Sequence, residues 1–138
     1  MKMIKTTLIA LAISATASAK TIPAGDYSID GMHSKIGFEI SHLVISSVEG
    51  TFQKYEGTIK VDKKANLSKA EVTIDVDSIN TGVTKRDDHL KSADFFDVQK
   101  FPKMTFTSSD VKITGDTLKI KGLLKIKDQS KEVTLTGK

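Results

Sequence analysis

Apolar side chains recur at every second position in segment after segment of this chain. Ile36, Phe38 and Ile40 alternate with Lys35, Gly37 and Glu39, and Tyr55, Gly57, Ile59 and Val61 with Glu56, Thr58 and Lys60. The same period runs through Ala70, Val72, Ile74 and Val76, and again through Val133 and Leu135. It is longest at Leu118, Ile120, Gly122, Leu124 and Ile126, where Lys119, Lys121, Leu123, Lys125 and Lys127 take the outward places. Successive side chains of a strand point to opposite faces, so this rhythm predicts half-buried strands. Shorter runs at 26–30 and 103–113 bring the strand signals to about seven. An all-β antiparallel sandwich or barrel is the expected architecture.

The connections agree with strands. Gly115-Asp116 is a tight-hairpin signal, Asp128-Gln129-Ser130 links the next pair, and 62–68 is a longer polar connection. Residues 80–102 break the rhythm. There Thr84-x-x-Asp87 reads as a capping box that opens a short helix through Leu90 or Lys91. Phe95, Phe96, Val98 and Phe101 follow and concentrate four large apolar residues in seven positions. A connection this long inside a compact domain is usually structured or functional.

The amino terminus reads as a cleavable secretion leader over residues 1–19. Lys2 and Lys5 give a positive start, 8–13 an apolar centre, and Ala17-Ser18-Ala19 a small-residue cleavage site. The apolar stretch is too short to span a bilayer. Lys20 would then begin a domain of 119 residues, with 19 basic against 17 acidic side chains. That balance makes the lysines a solvated, edge-protecting exterior, with at most weak peripheral attraction to an anionic membrane. The sequence has no cysteine, which excludes disulfides, thiol nucleophiles and Cys-type metal sites. It has no tryptophan and one arginine, Arg86, so no nucleic-acid partner is expected.

Little in the chain suggests catalysis. His33, His42 and His89 are the three histidines. An acid–base or metal reading would bring His33 and His42 to one rim of a barrel with Asp30, Asp87 or Asp88. The plainer reading has His33 capping a turn, His42 closing a strand and His89 tethering the helical segment. Inward positions of a small barrel either fill its lumen or leave room for one ligand. Gly37, Gly57 and Gly122 would supply that room or mark bends in the sheet.

Three motifs together resemble the YceI family of periplasmic lipid-binding proteins. The first is Asp30-x-x-His33-Ser34-x-x-x-Phe38-x-x-x-His42-Leu43, and the second Val48-x-Gly50-x-Phe52 with Tyr55-Glu56-Gly57. The third, and most specific, runs through Ser78-Ile79-x-Thr81-Gly82, Arg86-Asp87-x-His89-Leu90, Asp94-Phe95-Phe96-Asp97 and Phe101-Pro102-x-Met104-x-Phe106. The resemblance implies an extended lipocalin-like antiparallel barrel of eight strands with one short helix. It implies a long apolar tunnel for a polyisoprenoid, quinone, fatty acid or fatty amide, often in a homodimer, with no cofactor and no catalytic residues. Tunnel-lining positions would be Ile36, Phe38, Ile40, His42, Phe52, Tyr55, Ile59, Val72, Ile74, Met104, Phe106, Leu118 and Ile120. The segment 93–101 would pack over one barrel end beside Arg86, Asp87 and His89, with Pro102 leading into the next strand. The family's barrel continues at least one strand beyond Val133–Leu135, so a piece of a longer protein with an open sheet edge is expected. The competing function is a histidine-based enzyme or metal protein built on His33 and His42.

Overall fold

A strand with one apolar face must press that face against something, and this chain does so with two antiparallel sheets. The computed structural model describes residues 22–42, 46–64 and 67–138. The expected leader at 1–19 lies outside them. The described strands are β1 (Gly25–Ser28), β2 (Ile36–His42), β3 (Ser46–Phe52), β4 (Tyr55–Val61), β5 (Leu67–Asp75), β6 (Ile79–Asn80), β7 (Lys103–Thr114), β8 (Thr117–Ile126) and β9 (Gln129–Gly137). A 3₁₀ turn, Val76–Ser78, precedes β6, and one helix, α1 (Thr84–Lys91), follows it. The larger sheet has the order β1-β4-β5-β7-β8-β9 and the smaller β2-β3-β6. The all-β antiparallel class is as expected, and the larger sheet ends on β1 and β9 without closing on itself.

Register explains why the alternation is so regular. Gly57 pairs with Val72, Val72 with Phe106 and Phe106 with Leu124, so one row of the apolar face crosses four strands. Tyr55, Ile74 and Met104 form the next row. In β7 the pairing slips between Ser108 and Asp110. That bulge lets Val111 and Ile113 rejoin the face of Met104 and Phe106 although the spacing is odd. β3 was absent from the periodicity count because Gly50 interrupts its apolar positions, leaving Val48 and Phe52 alone.

One expected turn is displaced. β7 and β8 join through Gly115-Asp116 as anticipated, with Gly115 at φ 56°. The β8–β9 turn is Lys127-Asp128, because Gln129 already pairs with Ile126. Lys127 is therefore no outward strand residue; its φ is 56°, in the left-handed region.

The chain crosses between sheets at two corners that Ser78 ties together. At Gln53-Lys54, between β3 and β4, the Gln53 N–H donates to the Ser78 carbonyl at 3.1 Å. The Lys54 N–H donates to Ser78 Oγ at 2.9 Å, and that hydroxyl donates to the Asp75 carbonyl at 2.6 Å. Both crossings thus have their backbone groups satisfied where ladder pairing stops. Beside them lies the core: Phe52, Ile74, Val76, Ile79, Val98 and Met104.

Gly50, Gly57 and Gly122 do not leave room; they seat neighbouring apolar side chains, whereas Gly37 lies against the Gly50 carbonyl. A Cβ on Gly50 would lie 2.3 Å from Phe38 Cζ, and one on Gly57 2.5 Å from Ile29 Cδ1. At Gly122 it would lie 2.5 Å from both Phe106 Cζ and the Thr107 carbonyl oxygen. Backbone cannot yield there as a flexible side chain can. Gly122→Ala should therefore cost about 1–3 kcal/mol, read as a lower urea midpoint at unchanged slope. Gly31→Ala, with open space around it, is the control. Equal midpoints for the two variants would contradict this account.

Candidate functional site

The segment after β6 is held in place by a threonine gripped from two sides. Asp87 accepts hydrogen bonds from the Thr81 N–H at 2.9 Å and from Thr81 Oγ1 at 2.6 Å. Arg86 Nε donates to Thr81 Oγ1 at 2.7 Å and its terminal nitrogen to the Thr81 carbonyl at 2.9 Å. The expected capping box is absent: Thr84 is the first helical residue, and the N-cap is Val83, which offers no side-chain acceptor. Asp87 serves the strand exit instead. Arg86 and Asp87 therefore fix the start of the helix.

After α1 the chain folds back on the helix end. The Phe96 N–H donates to the Leu90 carbonyl at 2.9 Å and the Val98 N–H to that of Lys91 at 3.1 Å. This return sends Val98 into the core and sets the Phe96 ring edge-on to Phe52, with centroids 6.2 Å apart. The segment 93–101 thus packs over one end of the sheets, as expected.

Between that segment and the two sheets lies an apolar cleft of about 520 Å³. Phe38 and Ile40 line it from β2, Phe52 from β3, Met104 from β7 and Ile126 from β8. Leu90, Phe95 and Phe96 complete the apolar wall, and Asp94 and Lys127 are the polar residues on it. Phe38 and Phe52 are tilted against each other at 5.7 Å, forming one flank. Ile40 and Phe95 remain 59% and 49% exposed, which marks the mouth. Asp94 is engaged by His89 Nε2 at 3.0 Å, and the His89 ring stands edge-on to Phe95. Lys127 Nζ donates to the Phe95 carbonyl at 2.9 Å.

Of the expected tunnel residues, Phe38, Ile40, Phe52 and Met104 meet in this cleft. Ile36, Tyr55, Val72 and Ile74 pack in or against the core cluster instead. Phe106 is buried over Gly122. Leu118, Ile120 and Ile59 occupy the matching face of the larger sheet, away from the cleft, while His42 ends β2 opposite Ser46. Sequence reasoning missed Leu90, Phe95, Phe96, Ile126, Asp94 and Lys127 as lining. The aromatic cluster at 95–101 and the parity of Ile126 carried a signal for three of them. Lys127 gave none, since alternation put it outside.

The histidines do not converge. His33 precedes β2 and His42 ends it, so a strand of seven residues holds them roughly 20 Å or more apart. The expectation of both at one rim fails on that distance. His33 Nδ1 is 2.6 Å from Asp30 Oδ2, closing the turn before β2. That bond, aided by the Met32 N–H, holds the Asp30 carboxyl below its ordinary range. The turn is thus firmest above that range and loosens as pH falls through the lowered value. Among the described residues no group of three or more His, Asp or Glu side chains is placed to hold a metal ion.

Comparison with known proteins places this geometry. The YceI-like domain model matches residues 27–138. The chain belongs to the YceI-like family. Protein YceI of Escherichia coli O6:H1 is 44% identical over 124 residues, 88% of this chain and 65% of that relative. Protein YceI of Salmonella newport is likewise 44% identical, and the chain spans 62% of its length. Among solved structures, Burkholderia cenocepacia BcnA superposes with a TM-score of 0.71 at 31% identity. The match covers 78% of this chain and 69% of BcnA. A polyisoprenoid binding domain from Saccharophagus degradans shares the fold at TM-score 0.52 and 16% identity, over 74% of this chain and 58% of its own. The YceI-like fold is thus shared with chains longer than this one.

The grip on Thr81 sets the cleft's outer wall, so its loss should be felt there first. Asp87→Ala leaves the half-buried Thr81 N–H and hydroxyl without their acceptor, at about 1–3 kcal/mol. Hydrogen exchange should accelerate over 81–98 while β8 and β9 stay protected. Unchanged exchange in α1 would show that the grip holds nothing.

Proposed function

We propose that this chain binds an isoprenoid-like or other long-chain amphiphile in the cleft between β2, β3 and the segment 90–96. Candidate ligands are a polyisoprenoid, quinone, fatty acid or fatty amide. The chain would act as a periplasmic carrier or sequestering protein, exported by the leader expected at 1–19. The observation that carries the reading is the cleft's lining, apolar except at Asp94 and Lys127. Its volume lies in the range typical of small-molecule sites, roughly 300–1,000 Å³. Membership of the YceI-like family supports the reading, and so does the shared fold of the polyisoprenoid binding domain. Among the described residues no geometry favours the histidine alternative.

The physical mechanism is transfer of an alkyl or prenyl chain out of water, at about 0.8 kcal/mol per buried methylene. Ten methylenes give roughly 8 kcal/mol, comparable to the cost of immobilising a ligand, so tail length decides retention. Methylenes carry no directional information, and selectivity falls to the mouth.

Ile40 tests the site without threatening the fold, because it is 59% exposed yet lines the cleft. Ile40→Asp should weaken uptake of N-phenylnaphthylamine, a neutral dye that brightens in apolar surroundings, at least about tenfold. Thermal unfolding should stay near that of the parent. His33→Ala and His42→Ala should leave uptake unchanged. Full dye uptake by Ile40→Asp would place the binding surface elsewhere.

A further inference from the structure

Among the described residues the one lysine or arginine on the cleft wall is Lys127, at a position where turn chemistry does not call for a lysine. Lys127 occupies a two-residue hairpin turn at φ 56°, a conformation that favours Gly, Asn or Asp and disfavours long side chains. From there its ammonium reaches back over the mouth of the cleft. It donates to the Phe95 carbonyl at 2.9 Å and lies 5.8 Å from the centroid of the Phe101 ring. An ammonium has three donors, and a single backbone carbonyl uses one. Among the described residues no carboxylate forms an ion pair with Lys127. The other polar lining residue, Asp94, is already taken by His89 Nε2 at 3.0 Å. Lys127 therefore keeps two donors unused, partly removed from water, at the rim of an apolar wall.

Resting on the amphiphile reading above, we infer that Lys127 is the specificity-determining residue of the site and selects ligands with an anionic headgroup, carboxylate or phosphate. The tail lies along Phe38, Phe52, Phe96, Met104 and Ile126. The headgroup accepts from the free donors of Lys127 and compensates its charge, with Phe95 beside it. A compact ammonium suits either anion, being a point charge without the fork that would demand a planar partner.

The test separates the headgroup from the cleft itself. N-phenylnaphthylamine is neutral and reports the apolar wall. Dodecanoate, dodecyl phosphate and dodecanol, matched in tail length, then compete for it. Parent protein should release the dye to one or both anions at concentrations at least about tenfold lower than to dodecanol. Lys127→Gln should bring anion and alcohol within about twofold of each other when both are measured against that variant's own dye affinity. Lys127→Gly, which suits the left-handed backbone, should do the same with stability retained or raised. Relative potency of the two anions identifies which headgroup is preferred. Equal potency of anions and alcohol in the parent, or an anion preference that survives both substitutions, would overturn the role of Lys127 and leave the apolar site standing. Failure of the parent to take up the dye at all would overturn the amphiphile reading first, and this inference with it.

Discussion

Phe52 stands where β3 ends and the chain leaves the smaller sheet for the larger. Its ring leans on Phe38 from its own sheet and meets Phe96 edge-on from the segment that follows α1, and the side chain is 6% exposed. A two-sheet structure needs its apolar faces to find each other, and here they do so at one end, around this ring. The rest is arranged to permit it. Gly50 has no Cβ, so Phe38 can lie across β3. Ser78 satisfies the corner backbone on either side. The grip of Arg86 and Asp87 on Thr81 starts the helix at the point from which Phe96 and Leu90 reach the same cluster.

The same arrangement leaves the cleft. Phe52, Phe38 and Met104 bury one side of themselves in the core and present the other to the cavity, so its floor is rigid. Its outer wall is a short segment held by a few hydrogen bonds. A floor of packed rings under a wall secured at Thr81 suits a flexible apolar tail, which asks for area more than for directed contacts. Directed contacts are confined to the rim, where Asp94 is bonded to His89 and Lys127 keeps donors beyond its bond to the Phe95 carbonyl.

Much of this was legible in the sequence, for reasons that differ from residue to residue. The two-residue period exposed β2, β4, β5 and β8 because each presents one wetter face and one drier one, and β9 by its alternation alone, since only Val133 of it is half-buried. β3 escaped because Gly50 belongs to the apolar face by position and not by chemistry. The helix was found, but its start was misread: Thr84-x-x-Asp87 has the spacing of a cap, while Asp87 spends its acceptors on Thr81. Phe38, Ile40, Phe52 and Met104 were expected to line a cavity and do. Ile59, Leu118 and Ile120 share their face without reaching it, since parity fixes a side and gives no position along the strand. Lys127 was hidden because a turn moved by one residue converts an outward strand position into one that points back over the mouth.

The central claim is that a long-chain amphiphile occupies this cleft, and the most direct measurement is native mass spectrometry. Protein from a bacterial periplasm would be weighed intact and then extracted with solvent. The account predicts an added mass that is released as a long-chain lipid and is absent from Ile40→Asp. A folded parent protein that is empty, and stays empty after incubation with such lipids, would contradict it.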